Sequence, residues 1–283
     1  MSSSKFFLRK TSGSILCPSC GKLNNVDAPV CFYCGRKNPG LWGLGPVVGR
    51  LFGKINFARI VMGACITAYI ISLLLDFRSA MSFRGPFDLL SPSISALNAL
   101  GMTGASAWVH GRWWTLITAI YLHGSLLHVL FNLIWINQLA PAVEELYGRS
   151  RLILIFTGAG VVGFWMSNWV GVPFTIGASG SIFGLLGAMV QYGRSRGGTF
   201  GLMIFRQYGQ WALILFILGF LMAGVNNFAH AGGLVGGYLA GAILGHNSQK
   251  GETTTLQFAA TVTVVLTALS FVIALWIGLM VRG

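Results

Sequence analysis

Residues 116–140 read LITAIYLHGSLLHVLFNLIWINQLA, an apolar run long enough to cross about 30 Å of hydrocarbon. The run nevertheless carries His123, His128 and Asn132, and such groups are costly inside lipid unless they are paired or functional. Comparable stretches lie at 57–76, 151–170, 178–193, 210–225, 228–245 and 256–281. Together they predict seven membrane helices and an all-α polytopic fold.

Composition agrees. Hydrophobic residues make up 54% of the 283 and charged residues 9%, against roughly 25% charged in an ordinary soluble domain. The mean hydropathy is +0.72. The 39 glycines imply helices that pack backbone to backbone through small residues.

The net charge of +13 suggests nucleic acid until the positions of the charges are read. Nine of the 19 Lys and Arg residues precede the first long apolar run. A cluster there reports topology and contact with anionic headgroups, which argues against a nucleic-acid partner. With a cytoplasmic N-terminus, the inner segments hold 15 of the 19 cations, including Arg149, Arg151, Arg194, Arg196, Arg206 and Lys250. The outer segments hold Arg78, Arg84, Arg112 and Arg282. This is the positive-inside pattern of a multi-pass protein of the cell (plasma or inner) membrane. The first 55 residues lack an apolar stretch followed by a small-residue cleavage site, so no cleaved signal peptide is expected.

Residues 77–115 form the one long connection. Leu89, Leu90, Leu97, Leu100, Trp108, Trp113 and Trp114 suggest a segment lying in the outer interface, either as a spacer or as a working part.

Ahead of the first helix, Cys17-Pro-Ser-Cys20-Gly and Cys31-Phe-Tyr-Cys34-Gly give a Cys-x2-Cys-x10-Cys-x2-Cys spacing. Two tight turns of this kind supply four thiolates to a tetrahedral ion, the pattern of a short zinc ribbon. Two disulfides are the alternative, disfavoured on a reducing side of the membrane. A closed four-sulfur site has no open position, so the zinc is expected to be structural. Cys65 falls within the first helix and is read as a packing residue.

The polar residues of the spans share a depth. Asn132 follows His128 by four residues, on one helix face. Gly177-Ala-Ser179-Gly180 stands where the fourth helix begins, and His230 lies near the outer end of the sixth. A serine needs a base to become a nucleophile, and an oxyanion needs donors, which the Ser179 N–H, His128 and Asn132 can supply. None of the six acidic residues lies near His230 in a span. A serine hydrolase built here therefore uses a Ser–His dyad without a carboxylate. Each feature has a plainer reading: small residues pack helices, and His128 with Asn132 can be an interhelical pair. The shared depth of all of them favours catalysis.

These motifs resemble the rhomboid intramembrane serine proteases. His123-Gly-Ser-Leu-Leu-His128-Val-Leu-Phe-Asn132 looks like the family's second-helix signature. Gly177-Ala-Ser179-Gly180 matches its Gly-x-Ser-Gly nucleophile motif, and Ala229-His230-Ala-Gly-Gly233 through Gly237 and Gly241 matches the sixth-helix motif. The resemblance implies a six-helix catalytic core over 57–245, preceded by a ribbon over 1–40 and a basic linker over 41–56, with an additional helix over 256–281. It also implies Ser179 as nucleophile and His230 as base, with His128, Asn132 and the Ser179 N–H as oxyanion hole. Phe183 stands where the family often places a tyrosine stacked on the histidine, so an aromatic shelf is expected to orient His230.

The implied activity is endopeptidase cleavage of transmembrane segments near the outer face. Membrane-protein substrates, membrane lipids and a cytoplasmic protein reached through the ribbon are the implied partners. A non-catalytic rhomboid-like escort protein is the alternative, opposed by the presence of both Ser179 and His230. The family's Trp-Arg in the first loop is here Trp114-Thr115, with Arg112 the candidate substitute. The helix over 256–281 is expected only to pack.

Overall fold

Asn56 starts the first helix, its Oδ1 accepting from Ala58 N at 2.8 Å and so satisfying one of the amides a helix start leaves open. Helix α1 then runs Phe57–Leu75. The computed structural model describes residues 11–17, 20–40, 56–81, 85, 88–222, 224–246 and 252–282. Of the expected segments, residues 1–10, 18 and 19 of the ribbon, 41–55 of the linker and 82–84, 86, 87 and 223 of the core lie outside them, as do Arg84 and Lys250 of the charge count.

The long connection is built of short helices: α2 (Phe77–Ala80), α3 (Ile94–Ala99), α4 (Ala105–Val109) and α5 (Thr115–Thr118). It is not a uniform interfacial layer. Leu97 and Leu100 are buried, while Trp108 and Trp113 remain exposed. Arg112 donates to Asn98 O at 3.3 Å, joining the turn after α4 to α3. Thr115, in the place of the family's arginine, donates to Thr103 Oγ1 at 3.0 Å.

The expected helix over 116–140 is broken. After α5 a 3₁₀ turn covers Ala119–Tyr121, and Leu122 is extended. Helix α6 begins only at Leu126 and runs to Tyr147. Ser125 marks the new start: its side chain accepts from His128 N at 3.3 Å as the N-cap of α6.

Three further spans fall where expected: α7 (Arg149–Trp169), α8 (Ser179–Arg196) and α10 (Asn227–Leu244). The fifth does not. Helix α9 runs Gly198–Leu221 instead of 210–225, and only Gly197 separates it from α8. At Gly197 and Gly198 φ is +64° and +65°, the left-handed region that glycine enters without strain. The expected inner loop is absent, and Arg206 lies within α9.

Helix α8 sits at the centre, packed by α6, α7, α9 and α10, with twelve of its eighteen residues buried. Its contact with α10 is the most extensive in the fold. A Cβ at Gly237 would overlap the Gly184 carbonyl, so the two backbones touch there and only glycine fits. The last helix, α11 (Thr254–Arg282), is no detached appendage. It packs on α3, α5 and α7, and Phe271 meets the Tyr121 ring edge-on at 5.6 Å. Among the described residues, five helices (α1, α6, α7, α9 and α11) are long and apolar enough to cross a membrane. The protein is an integral membrane protein.

The N-terminal segment pairs β1 (Ser14–Leu16) with β2 (Leu23–Asn25), antiparallel, with Leu16 opposite Leu23.

Candidate functional site

Helices α6, α8 and α10 run in one direction. Tyr147, at the end of α6, donates to Ala188 O half-way along α8 at 2.7 Å, Gly241 of α10 abuts Ala188, and His128 near the start of α6 abuts Gly177 just before α8. Their N-termini therefore gather at the opposite end of the bundle. His128, Ser179 and His230 all lie in first turns there, although the sequence spreads them over 100 residues.

Phe183, one turn below Ser179, stacks on the His230 ring with centroids 4.3 Å apart and planes 19° apart. The stack and the glycine contacts hold the start of α8 beside the start of α10. A Cβ on Gly180 would lie 3.4 Å from Ala229 O. His230 is buried, at 6% exposure, and Ser179 half-buried. The other side of the His230 ring is fixed by Asn227, whose Oδ1 lies 3.2 Å from Nδ1. An amide oxygen only accepts, so the proton of the neutral ring sits on Nδ1, leaving Nε2 with a free lone pair. Asn226 caps the same helix, its Oδ1 accepting from Phe228 N and Ala229 N, both at 3.1 Å. Its Nδ2 donates to Ser167 Oγ at 2.6 Å and Thr175 Oγ1 at 3.0 Å, tying α10 to α7 and to the segment leading into α8.

That segment carries Gly177, whose N–H donates to Ala119 O at 2.9 Å. Its φ of +114° and the nearness of His128 admit no side chain: a Cβ would lie 2.6 Å from His128 Nε2. On the far side of that ring, Gly124 N donates to Nδ1 at 3.3 Å. Neutral His128 thus carries its proton on Nε2, directed at the backbone two residues before Ser179. Asn132 is buried and donates one N–H to His128 O at 2.8 Å, while its Oδ1 has no partner. His123 is fully buried, its Nδ1 lying 3.1 Å from Tyr121 O and its ring meeting His128 edge-on at 5.0 Å.

The structure thus gathers Ser179, His230, His128, Asn132 and Phe183 at one end of the bundle. It adds Asn227 and Asn226, which the sequence reading passed over. Both had a signal: an Asn before a periodic apolar run marks a helix start, and Asn227 precedes His230 by three residues on one helix face.

The four cysteines form a second, separate cluster, with every Sγ within 4.8 Å of every other. Cys17 and Cys34, and Cys20 and Cys31, are paired at 3.7 Å between sulfurs. A tetrahedron with metal–sulfur bonds of about 2.3 Å has edges of about 3.8 Å, and a disulfide would need about 2.05 Å. The set therefore fits a metal ion. The two turns are alike: Gly21 N donates to Cys17 O at 2.8 Å and Gly35 N to Cys31 O at 2.9 Å. Buried Asn24 donates to Cys31 Sγ at 3.1 Å and is itself held by Phe32 N at 3.1 Å. Burial pushes the Cys31 thiol up, but the N–H groups of Cys34 and Tyr33 outweigh it and hold it at about 6. Cys65, in α1, is fully buried and outside this cluster.

A helical membrane protein whose interior brings a serine, two histidines and amide groups to one end is the class defined by this arrangement. Residues 110–247 match the rhomboid domain, and through this domain the chain belongs to the rhomboid family. It is 36% identical over 160 residues to the rhomboid protease GluP of Bacillus subtilis, covering 55% of this chain and 31% of that protein. Identity to RHOMBOID-like protein 5 of Arabidopsis thaliana is 32% over 181 residues, covering 61% of this chain and 58% of that protein. With the rhomboid protease GlpG of Salmonella choleraesuis it is 29% over 187 residues, covering 66% and 59%. The chain thus spans from about a third to three fifths of these relatives' lengths.

Proposed function

We propose that this chain is an intramembrane serine endopeptidase that cuts transmembrane segments of other membrane proteins near the outer face. The reading is carried by the His230 tautomer. Asn227 holds the Nδ1 proton and Phe183 fixes the ring plane, so Nε2 is the nitrogen left basic. In the first step Ser179 Oγ attacks the scissile carbonyl carbon while its proton passes to His230 Nε2. The oxyanion lies against the Ser179 N–H, the His128 Nε2–H and the second N–H of Asn132. The imidazolium then returns its proton to the leaving amine. Water, deprotonated by the same nitrogen, hydrolyses the acyl-enzyme and frees Ser179. Asn227 and Phe183 position the base in place of the carboxylate of a triad.

A helix hides its carbonyls in i→i−4 bonds, so a substrate must unwind near the cut. Transmembrane segments with Gly or Pro towards their outer end are the expected substrates. The names of the relatives, rhomboid proteases among them, support the activity. In the same reading the N-terminus is cytoplasmic, the protein resides in the cell membrane, and the four cysteines hold a structural zinc.

The test is paired. A fluorophosphonate probe should label wild-type protein in proteoliposomes at Ser179 and leave Ser179→Ala and His230→Ala unlabelled. A generic transmembrane substrate should be cut by wild type alone. A folded Ser179→Ala protein that still cleaves would exclude the serine mechanism.

A further inference from the structure

The ribbon presents a face that its own small core leaves uncovered. Leu16 and Leu23 are direct cross-strand partners, 66% and 63% exposed. Lys22, adjoining Leu23, lies over the Tyr33 ring at 4.8 Å. Tyr33 meets Phe32 edge-on at 5.7 Å, and Phe32 is 91% exposed. Lys22 thus joins the two aromatics, and its chain neighbour Leu23 belongs to the exposed aliphatic pair. Lys37 is also exposed, and its backbone pairs with Val30, itself exposed. Up to residue 59 the chain holds nine Lys and Arg against Asp27 alone.

Position selects the occupant. Arg36 donates to Gln257 Oε1 at 2.9 Å, in the first turns of membrane helix α11. Glu252, just before that helix, accepts from Ser150 Oγ at 2.7 Å at the start of α7. The ribbon is therefore held at the level where two membrane helices begin, next to the headgroups. Exposed aromatics with apolar neighbours and a cationic surround match an anionic lipid interface, where rings sit among headgroups and lysines meet phosphates.

We propose that the ribbon docks on the anionic lipid surface next to its own membrane domain, with Phe32, Tyr33, Leu16 and Leu23 inserted and Lys22 and Lys37 paired with phosphates. The docked ribbon lies flat at the membrane, on the end of the bundle away from Ser179.

The full-length protein, carrying p-benzoylphenylalanine in place of Phe32, is reconstituted in nanodiscs of phosphatidylcholine alone or with about one third phosphatidylglycerol. After irradiation, adducts are identified by mass spectrometry, with bound zinc measured in the same samples. Lipid adducts are expected in the mixed discs, several-fold fewer in phosphatidylcholine alone, and several-fold fewer in the mixed discs after Lys22→Glu with Lys37→Glu. A zinc-loaded ribbon giving no lipid adduct overturns the proposal. So do adducts indifferent to lipid charge, or crosslinks solely to a second protein chain. Phe32→Ser with Tyr33→Ser is the independent check: hydrogen exchange of residues 20–37 should be slowed by anionic discs in wild type and not in this variant. Equal exchange in both lipids for wild type would count against docking.

Discussion

Helix α11 and the α8–α10 pair are opposite solutions to the same membrane. Helix α11 is the most apolar candidate span, and only 17% of its most apolar window is buried. Helix α8 has twelve of eighteen residues buried, yet neither it nor α10 reaches the apolarity of the five obvious spans. Hydropathy marks the surface that lipid touches. A helix enclosed by protein can trade leucines for glycines, a serine and a histidine, because its neighbours hydrogen-bond what lipid cannot. The residues read as nucleophile and base stand on the two spans that fall short of that apolarity, while His128 and Asn132 stand on α6, which reaches it.

The comparison predicts where substitutions hurt. Ser179→Ala and His230→Ala should each lower turnover by about 10⁴-fold or more, as removal of one member of a catalytic unit does. The double variant should be no worse than either single one. A double variant markedly worse than both would show that the two residues do not act as a unit. Gly237→Leu should come next. Its side chain must enter the Gly184 backbone, so the α8–α10 pair has to separate, and most protein should fail to fold or lose activity. Val272→Leu on α11, where the side chain is 62% exposed, should leave both thermal stability and turnover unchanged. Equal damage from the two would erase the distinction between the helices.

Smaller effects test the two rings. His128→Ala and Asn132→Ala should lower turnover by about 10- to 1,000-fold through loss of oxyanion donors, with substrate affinity little changed. Asn227→Ala should cost less, roughly 10-fold, because Phe183 still holds the ring plane. Its signature is a changed pH–rate profile, which loss of packing alone would not give.

Most of this was legible before the structure, for physical reasons. Cys-x2-Cys spacing and glycines every fourth residue are local patterns with one geometric outcome each. The shared depth of His128, Ser179 and His230 followed from counting spans. Two features were not legible. Hydropathy alone cannot see that Ser125 caps a new helix inside 116–140, since an apolar stretch reads the same whether or not it is broken. The α8–α9 turn at Gly197 likewise hid behind arginines that resembled a loop. An amide is a less obvious partner for a histidine than a carboxylate, and only the fold shows Asn227 Oδ1 3.2 Å from His230 Nδ1.

The smallest expected effect separates the two ends of the molecule. Cys17, Cys20, Cys31 and Cys34 fit one tetrahedral ion, so elemental analysis should find about one zinc per chain. Cys17→Ser with Cys20→Ser should remove it and unfold the segment, since a pair of three-residue strands has almost no core without metal. The ribbon meets the membrane domain through Arg36 at Gln257, near the start of α11. Ser179 begins α8 at the other end of the bundle, where α11 finishes with Gly278 against Ala99. About one membrane thickness of packed helix lies between them, too far for the ion to polarise a substrate. Turnover of a simple substrate in detergent should therefore stay within about twofold of wild type, per folded molecule and judged against ordinary scatter among surface variants. A fall to the level of Ser179→Ala would mean that the ribbon gates the catalytic end through α11, whose Phe271 packs on Tyr121 just ahead of His123. Phe271→Ala would then reproduce the loss with zinc still bound, and the two ends of the molecule would have to be read as one device.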